Sequence, residues 1–384
     1  MPGRWSWLLE EVGLRKLIFS PLVYRYIMGE LRDASDLVKC ALCPNMCRHA
    51  CPVSIVDGRE TTSPSGKARL GMLVERGYVD LDRDVAEAIY ACLSCEACRR
   101  WCYFSFSVDE LLRPLRGRSI EEGKAPRGVQ ALLSNLSEHG YPYGEPRSQA
   151  RPSGGGVVYF PGCVTTEHLP ELAESALRLL ELLGFNAQPL EGVCCGAPAY
   201  YAGDERLFKR LAARLAEALE SAEPRLVVAS CPSCVHALRN LYPSLGLRVP
   251  PRVLHVAELL AEQQQFPGKG TSLRITYHDP CKLVYALGKP NLLRELLVRL
   301  GVSVVDPRRR GDETFCCGYG GTLPFSHREL ADSIARERLG ELKEAAETVV
   351  TACPACKLAF TRNGGRVLDV AELAVSLLGG EREG

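Results

Sequence analysis

Residues 350–357 read VTACPACK, and residues 228–235 read VASCPSCV. Each is the end of a short apolar run followed by Cys-Pro-x-Cys, the pattern of a buried strand that turns into a helix with proline in its first turn. Cys353 answers Cys231 and Cys356 answers Cys234, both at an offset of 122. Moving outward, Cys316-Cys317-Gly318 answers Cys194-Cys195-Gly196 at 122, Cys281 answers Cys163 at 118, and RVLDVAELA from Arg366 answers RVLHVAELL from Arg252 at 114. Loop insertions in a duplicated unit leave small drifts of this kind, so residues 156–266 and 270–384 are expected to be two homologous domains.

Within this half, apolar β-rich runs alternate with helical ones: GVVYF, RLVVAS, LRITY and ETVVTA are each followed by a helical pattern. Alternation of that kind predicts parallel βαβ units with buried strands, hence two α/β domains. Before them, residues 119–155 turn to Gly, Pro, Ser and Arg and end in EPRSQARPSGGG, which reads as a linker. Residues 36–118 hold eight cysteines around SPSGKARLGMLVERG and LDRDVAEAIYAC, two short helices, the first with Ser63 or Ser65 as N-cap. Residues 1–35 include LIFSPLVYRYIM, broken by Arg15, Lys16, Pro21 and Arg25, too short an apolar run to span a bilayer. Aromatic and basic residues interleaved there suit a docking segment or helices that cap the first domain.

The 384 residues carry 47 basic and 46 acidic side chains, a formal charge of +1 with no long basic run, which argues against nucleic acid as a partner. Eighteen cysteines demand an account. A secreted disulfide scaffold is normally short and follows a signal peptide, and residues 1–30 lack a clean h-region and cleavage site, so reduced thiols in the cytoplasm are expected.

The first cysteines run Cys40, Cys43, Cys47 and then Cys51-Pro52; the next run Cys92, Cys95, Cys98 and then Cys102. Three close cysteines wrap one iron-sulfur cube while a fourth, farther along, ligates the other. Cys40, Cys43, Cys47 and Cys102 are therefore assigned to one 4Fe-4S cluster, and Cys92, Cys95, Cys98 and Cys51 to a second. Two departures from the usual pattern are the three residues between Cys43 and Cys47 and Tyr103 after the last cysteine. Zinc is the competing use of CxxC pairs.

Each α/β repeat then carries five cysteines: Cys163, Cys194, Cys195, Cys231 and Cys234, then Cys281, Cys316, Cys317, Cys353 and Cys356. Five thiolates, two of them adjacent, do not suit a four-coordinate zinc, and a larger or less regular iron-sulfur cluster accommodates them better. Four, four, five and five account for all 18 cysteines.

With CRHACPVS at 47–54, YHDPC at 277–281 and FCCGYGG at 315–321, the doubled Cys, CCG, CxxC pattern resembles the catalytic iron-sulfur subunit of heterodisulfide reductase. Iron-sulfur subunits of glycolate and glycerol-3-phosphate oxidising complexes are similar. The resemblance spans about residues 40–384. It implies an α-helical ferredoxin domain followed by two CCG domains with pseudo-twofold symmetry. Each CCG domain would bind a noncubane 4Fe-4S cluster through its five cysteines, the two clusters facing a shared site where a disulfide is cut. The expected function is passage of electrons through two cubanes to that site, for a disulfide or comparable acceptor. The alternative is an electron-transfer subunit between a flavin-dependent 2-hydroxy acid or glycerol-3-phosphate dehydrogenase and a quinone or other carrier. Expected partners are a flavoprotein or a membrane cytochrome or quinone-reactive subunit. The chain would then lie in the cytoplasm or, through a partner, at the inner face of the cell membrane. No G-x-G-x-x-G opens a βαβ unit, so flavin is assigned to a partner.

His278 is the candidate catalytic residue, as proton donor to a leaving thiolate, against the alternative of a strand-end cap. Gly318, Gly320 and Gly321 fit either close substrate approach or a tight turn. His49 is expected to pack beside a cubane, and GYPYGEP at 140–146 has no chemical role assigned.

Overall fold

The computed structural model describes residues 35–154, 156–263 and 273–379; the proposed docking or capping segment lies outside them. Two four-stranded sheets carry the second half. One has the order β2-β1-β3-β4, with β1 Val157–Phe160, β2 Ala187–Pro189, β3 Leu226–Ala229 and β4 Val253–His255. The other repeats it as β6-β5-β7-β8, with β5 Arg274–His278, β6 Ser303–Val304, β7 Thr348–Thr351 and β8 Arg366–Asp369. Every pairing is parallel, with Val157 opposite Leu226 in one sheet and Ile275 opposite Thr348 in the other. The central strands β1, β3 and β7 are buried throughout, as unbroken Val-rich runs require when helices cover both faces.

The RVLxVAEL repeats open the last helix of each domain in the same way. His255 and Asp369 each accept from the backbone two residues on, while Glu258 and Glu372 reach back to the capping residue's own N–H. These are capping boxes built from different N-cap residues.

The N-terminal eight cysteines lie among helices. Ser63 caps Pro64–Glu75 by accepting from Gly66, with Pro64 in the first turn, and Asp82 caps Arg83–Tyr90. Gly71 lies inside the first of these helices, where a Cβ would meet Leu115 at 2.8 Å. A separate small core of Leu37, Ala68, Ile89 and Leu112 holds these helices together.

The expected linker at 119–155 is only partly one. Arg127–His139 forms a helix whose Val129, Leu132 and Leu136 are buried in the core of the first sheet domain. Their helical spacing is masked in the sequence by the Gly, Pro and Arg that flank it.

Candidate metal centre

The eight N-terminal cysteines sit at helix ends, in turns and, for Cys92 and Cys95, in the irregular stretch between Tyr90 and Ala97. Cys40 is in the last turn of Asp36–Leu42 and Cys43 caps it; Cys47 lies in the 3₁₀ turn Met46–Ala50, entered through Asn45 at φ 66°. Cys51 precedes Pro52–Asp57, and Cys98 lies in Ala97–Arg100, entered through Glu96 at φ 68°. Cys43, Cys47 and Cys102 are the neighbours of Cys40, whereas Cys51, Cys92, Cys95 and Cys98 line one small cleft. The two sets adjoin: Cys51 bears on Cys47 as well, ahead of Cys102 and Cys43.

Burial and then crowding by other thiols push Cys40 and Cys47 up to about 12. Sulfurs gathered this closely cannot share negative charge without a multivalent cation among them, and all 18 cysteines are unbonded. The donor set therefore fits iron-sulfur clusters.

In both sheet domains the cysteines follow the carboxyl ends of the two central strands, where open α/β sheets place their ligands. Cys163 and Cys281 begin the segments after β1 and β5, and Cys231 and Cys353 follow β3 and β7. Cys281 and Cys316 are 3.7 Å apart, and the Gly196 N–H points at Cys194 Sγ at 3.4 Å. Gly318 takes φ 89° between the cysteine pair and the next turn.

The sites also touch one another. The Cys95 sulfur interacts with Cys316, joining the N-terminal domain to the second repeat, and Cys231 interacts with Cys353, joining the two repeats. A buried ionic seam surrounds the first junction. Lys282 pairs with Glu96 at 2.6 Å and lies 4.8 Å from the centre of the Tyr201 ring. Arg116 pairs with Asp109 at 2.6 Å and donates to the Tyr201 carbonyl. Gly320 and Gly321 back onto the Leu93–Ser94 loop, where a Cβ would come within 2.6 and 2.8 Å of Leu93 O and Ser94 Oγ. They are close-approach glycines between domains as well as cavity-lining residues.

His278 is fully buried. Its Nδ1 accepts from Arg338 Nε at 3.3 Å, so the ring proton sits on Nε2, which has no oxygen or nitrogen partner. The ring interacts instead with the Cys317 sulfur, its ligand atom, Cys317 and Cys356 lying within 4.8 Å of one another. Burial, reinforced by Arg338, lowers its pKa and keeps it neutral, a donor toward sulfur. His49 stacks edge-on against Trp101 at 4.9 Å, beside Cys47 and Cys102.

A cavity of about 220 Å³ opens between the repeats, lined by Cys163, Cys195, Cys231 and Cys234 on one side and Tyr319, Arg328 and Arg362 on the other. Tyr143 and His168 complete it, their rings 4.7 Å apart, and His278 does not line it. GYPYGEP, which has no chemical role by sequence, gains one here: Tyr141 donates to the Cys163 carbonyl at 2.8 Å and Tyr143 forms cavity wall. Two aromatics separated by proline, just before the first repeat, were the available signal.

The 4Fe-4S dicluster domain family matches residues 36–105, and the cysteine-rich CCG domain family matches 157–239 and again 275–361. The chain is a dicluster protein with two CCG domains. It is 27% identical over 346 residues to a fumarate reductase (CoM/CoB) subunit from Methanothermobacter marburgensis, covering 86% of this chain and 68% of that one. Over 319 residues it is 28% identical to a subunit of the dihydromethanophenazine:CoB–CoM heterodisulfide reductase of Methanosarcina barkeri, covering 76% and 78%. EtfAB:quinone oxidoreductase of Syntrophomonas wolfei is 26% identical, and this chain spans 46% of its length. Among solved structures, a hypothetical protein from Helicobacter pylori shares the fold at TM-score 0.57 and 12% identity, covering 83% of this chain and 68% of that one. The dicluster and CCG domains thus belong to an iron-sulfur electron-transfer subunit related to heterodisulfide reductase. Among the described residues no helix is long and apolar enough to cross a membrane.

Proposed function

We propose that this subunit takes electrons from a partner redox protein at its dicluster domain and reduces a disulfide, or a comparable two-electron acceptor, at the CCG domains. The observation that carries this reading is the convergence of the three domains: the Lys282–Glu96 pair and the Gly320–Leu93 approach seat the second repeat on the dicluster domain, and a cavity between the repeats exposes Cys163, Cys195, Cys231 and Cys234. Cys40, Cys43, Cys47 and Cys102 would hold one cubane and Cys51, Cys92, Cys95 and Cys98 the other. Each five-cysteine set would hold a noncubane cluster, the repeats forming a pseudo-twofold pair. These clusters supply one-electron chemistry and a soft-metal surface for sulfur.

The reaction consumes two electrons and two protons, breaks the S–S bond and releases two thiols. The electrons come from the partner, a flavoprotein or a membrane cytochrome or quinone-reactive subunit. The chain's own residues shape the cavity, exclude bulk water from the buried sulfurs and hold the three domains in register through Lys282, Glu96, Arg116 and Asp109. The similarity to an EtfAB:quinone oxidoreductase keeps a second reading in view, an electron carrier between a flavin-dependent dehydrogenase and a quinone with CCG domains that meet no substrate. Reduced-viologen assays of the anaerobic protein separate the two. Disulfide-dependent viologen oxidation is expected; none, with rapid reduction by a flavoprotein donor, would select the carrier.

A further inference from the structure

Lys67 is an unusual residue to find inside the dicluster domain. Only 1% exposed, it projects from the helix Pro64–Glu75 into the small cleft lined by Cys51, Cys92, Cys95 and Cys98. Its ammonium donates to the Ala91 carbonyl at 2.5 Å, one residue before Cys92. The local sequence suits this placement: Ser63 caps the helix, and at Gly66 a Cβ would lie 1.9 Å from Glu60 O, so glycine lets the first turn close there.

Three charged side chains line the cleft, Lys67, Glu96 and Asp109. Both carboxylates are already neutralised, Glu96 by Lys282 at 2.6 Å and Asp109 by Arg116 at 2.6 Å. Lys67 has no carboxylate within ion-pair distance among the described residues; its partner is the Ala91 carbonyl. An ammonium buried without a counter-charge is strongly destabilising, and a purely structural role here would be met by an apolar side chain of similar length. The negative charge it faces is that of the thiolates. Burial raises the Cys51 pKa, and the Lys67 charge is the leading effect that opposes the rise. For Cys40 and Cys47, in the other set, the leading effects are burial and neighbouring thiols.

We propose that Lys67 is the built-in counter-charge of the cubane held by Cys51, Cys92, Cys95 and Cys98, a positioning residue that raises this cluster's reduction potential and ties the two cysteine runs together through Ala91. This rests on the cubane reading of the cleft and adds what balances the cluster's charge in a buried place. Taking up an electron makes a thiolate-ligated cluster more negative, and a fixed cation in low dielectric favours that state. The cleft is also the one that the Glu96–Lys282 pair seats against the second repeat. Lys67 therefore favours the electron on the side of the dicluster domain that faces the CCG domains.

The test is a dithionite titration of anaerobic, iron-loaded full-length protein followed by EPR, on the unaltered chain and on Lys67→Met, Lys67→Gln and Lys67→Arg. In the two neutral variants one dicluster midpoint should fall, the reduction equilibrium constant dropping about tenfold, or about 59 mV for one electron, while the other midpoint stays in place. Lys67→Arg keeps the charge and should keep the midpoint. Loss of one cubane's iron and signal in both neutral variants, with the arginine variant loaded, would also support the proposal, since the charge would then be needed to hold the cluster at all. An unmoved midpoint in loaded neutral variants or an equal shift of both midpoints would overturn it. So would Lys67→Arg behaving like Lys67→Met, because shape rather than charge would then be the requirement. Absence of cubane signals from the unaltered protein would instead overturn the cubane reading itself, and this inference with it.

Discussion

Phe160 ends the first strand of one repeat three residues before Cys163, and His278 ends the matching strand of the other three residues before Cys281. Around that exchange the two sites diverge. The second is sealed, with His278, Arg338 and the Lys282–Glu96 pair packed about its sulfurs, while the first faces a cavity through two half-buried cysteines. Duplication has preserved strand order and the spacing from CCG to CPxC but not environment. The difference teaches that a ligand pattern repeated in sequence need not mean a role repeated in function, because burial and hydrogen bonding act on each copy separately.

The comparison is broken most severely at the seams. Glu96→Gln leaves Lys282 charged and buried without its carboxylate, and is expected to cost about 3 kcal/mol in denaturant unfolding of anaerobic protein. The matching change on the first repeat's side, Tyr90→Phe, removes a hydroxyl that donates to Ala202 O at 2.7 Å, and should cost about 1 kcal/mol. Equal costs would show that the second repeat is not the more tightly tied of the two.

Next in size is Gly162, which has φ 80° and would place a Cβ 3.2 Å from Cys234 Sγ. Gly162→Ala should cost about 1–2 kcal/mol and lower the iron content by the first repeat's share. Pro280 stands at the matching place before Cys281, and Pro280→Ala should leave iron unchanged by metal analysis.

His278→Phe, which gives the second repeat the first repeat's residue, removes an N–H donor from Cys317. In a redox titration followed by EPR, the second site's midpoint should move lower, since a donor to sulfur favours the more negative reduced state. The first site's midpoint should stay in place; movement of both would mean that the sites are not electronically separate.

The smallest effect concerns the paired strand tyrosines. Tyr159 hydrogen-bonds buried Ser230 at 2.8 Å, whereas Tyr277 donates to Asp306, which also takes two bonds from Arg294. The Arg294 hydrogen bond holds Asp306 below its ordinary carboxylate value. Its contribution is therefore present above about pH 4 and fades as pH falls through the lower folded-state value. Because the group is partly exposed, Asp306→Asn should reduce acid sensitivity by less than about 1 kcal/mol, measured as the difference in unfolding free energy between pH 6 and pH 3.

Much of this was readable in the chain itself. Cysteine spacing marked off a dicluster segment from two CCG domains, and the strand-to-CPxC units gave two parallel sheets. Contacts between domains were not readable. Glu96 and Lys282 stand 186 positions apart, with nothing local to mark either as the other's partner. The cavity was invisible for the same reason, since Tyr143, Cys163 and Arg362 meet only when three segments fold together. His278 was noticed for its chemistry, but only burial reveals that it serves Cys317 rather than the cavity.

All of this depends on both repeats holding clusters alongside the two in the dicluster domain. Iron and acid-labile sulfide analysis of anaerobically purified protein tests that directly. About sixteen irons per chain, four for each of four clusters, is the predicted result. About eight, the content of the dicluster domain alone, would contradict it.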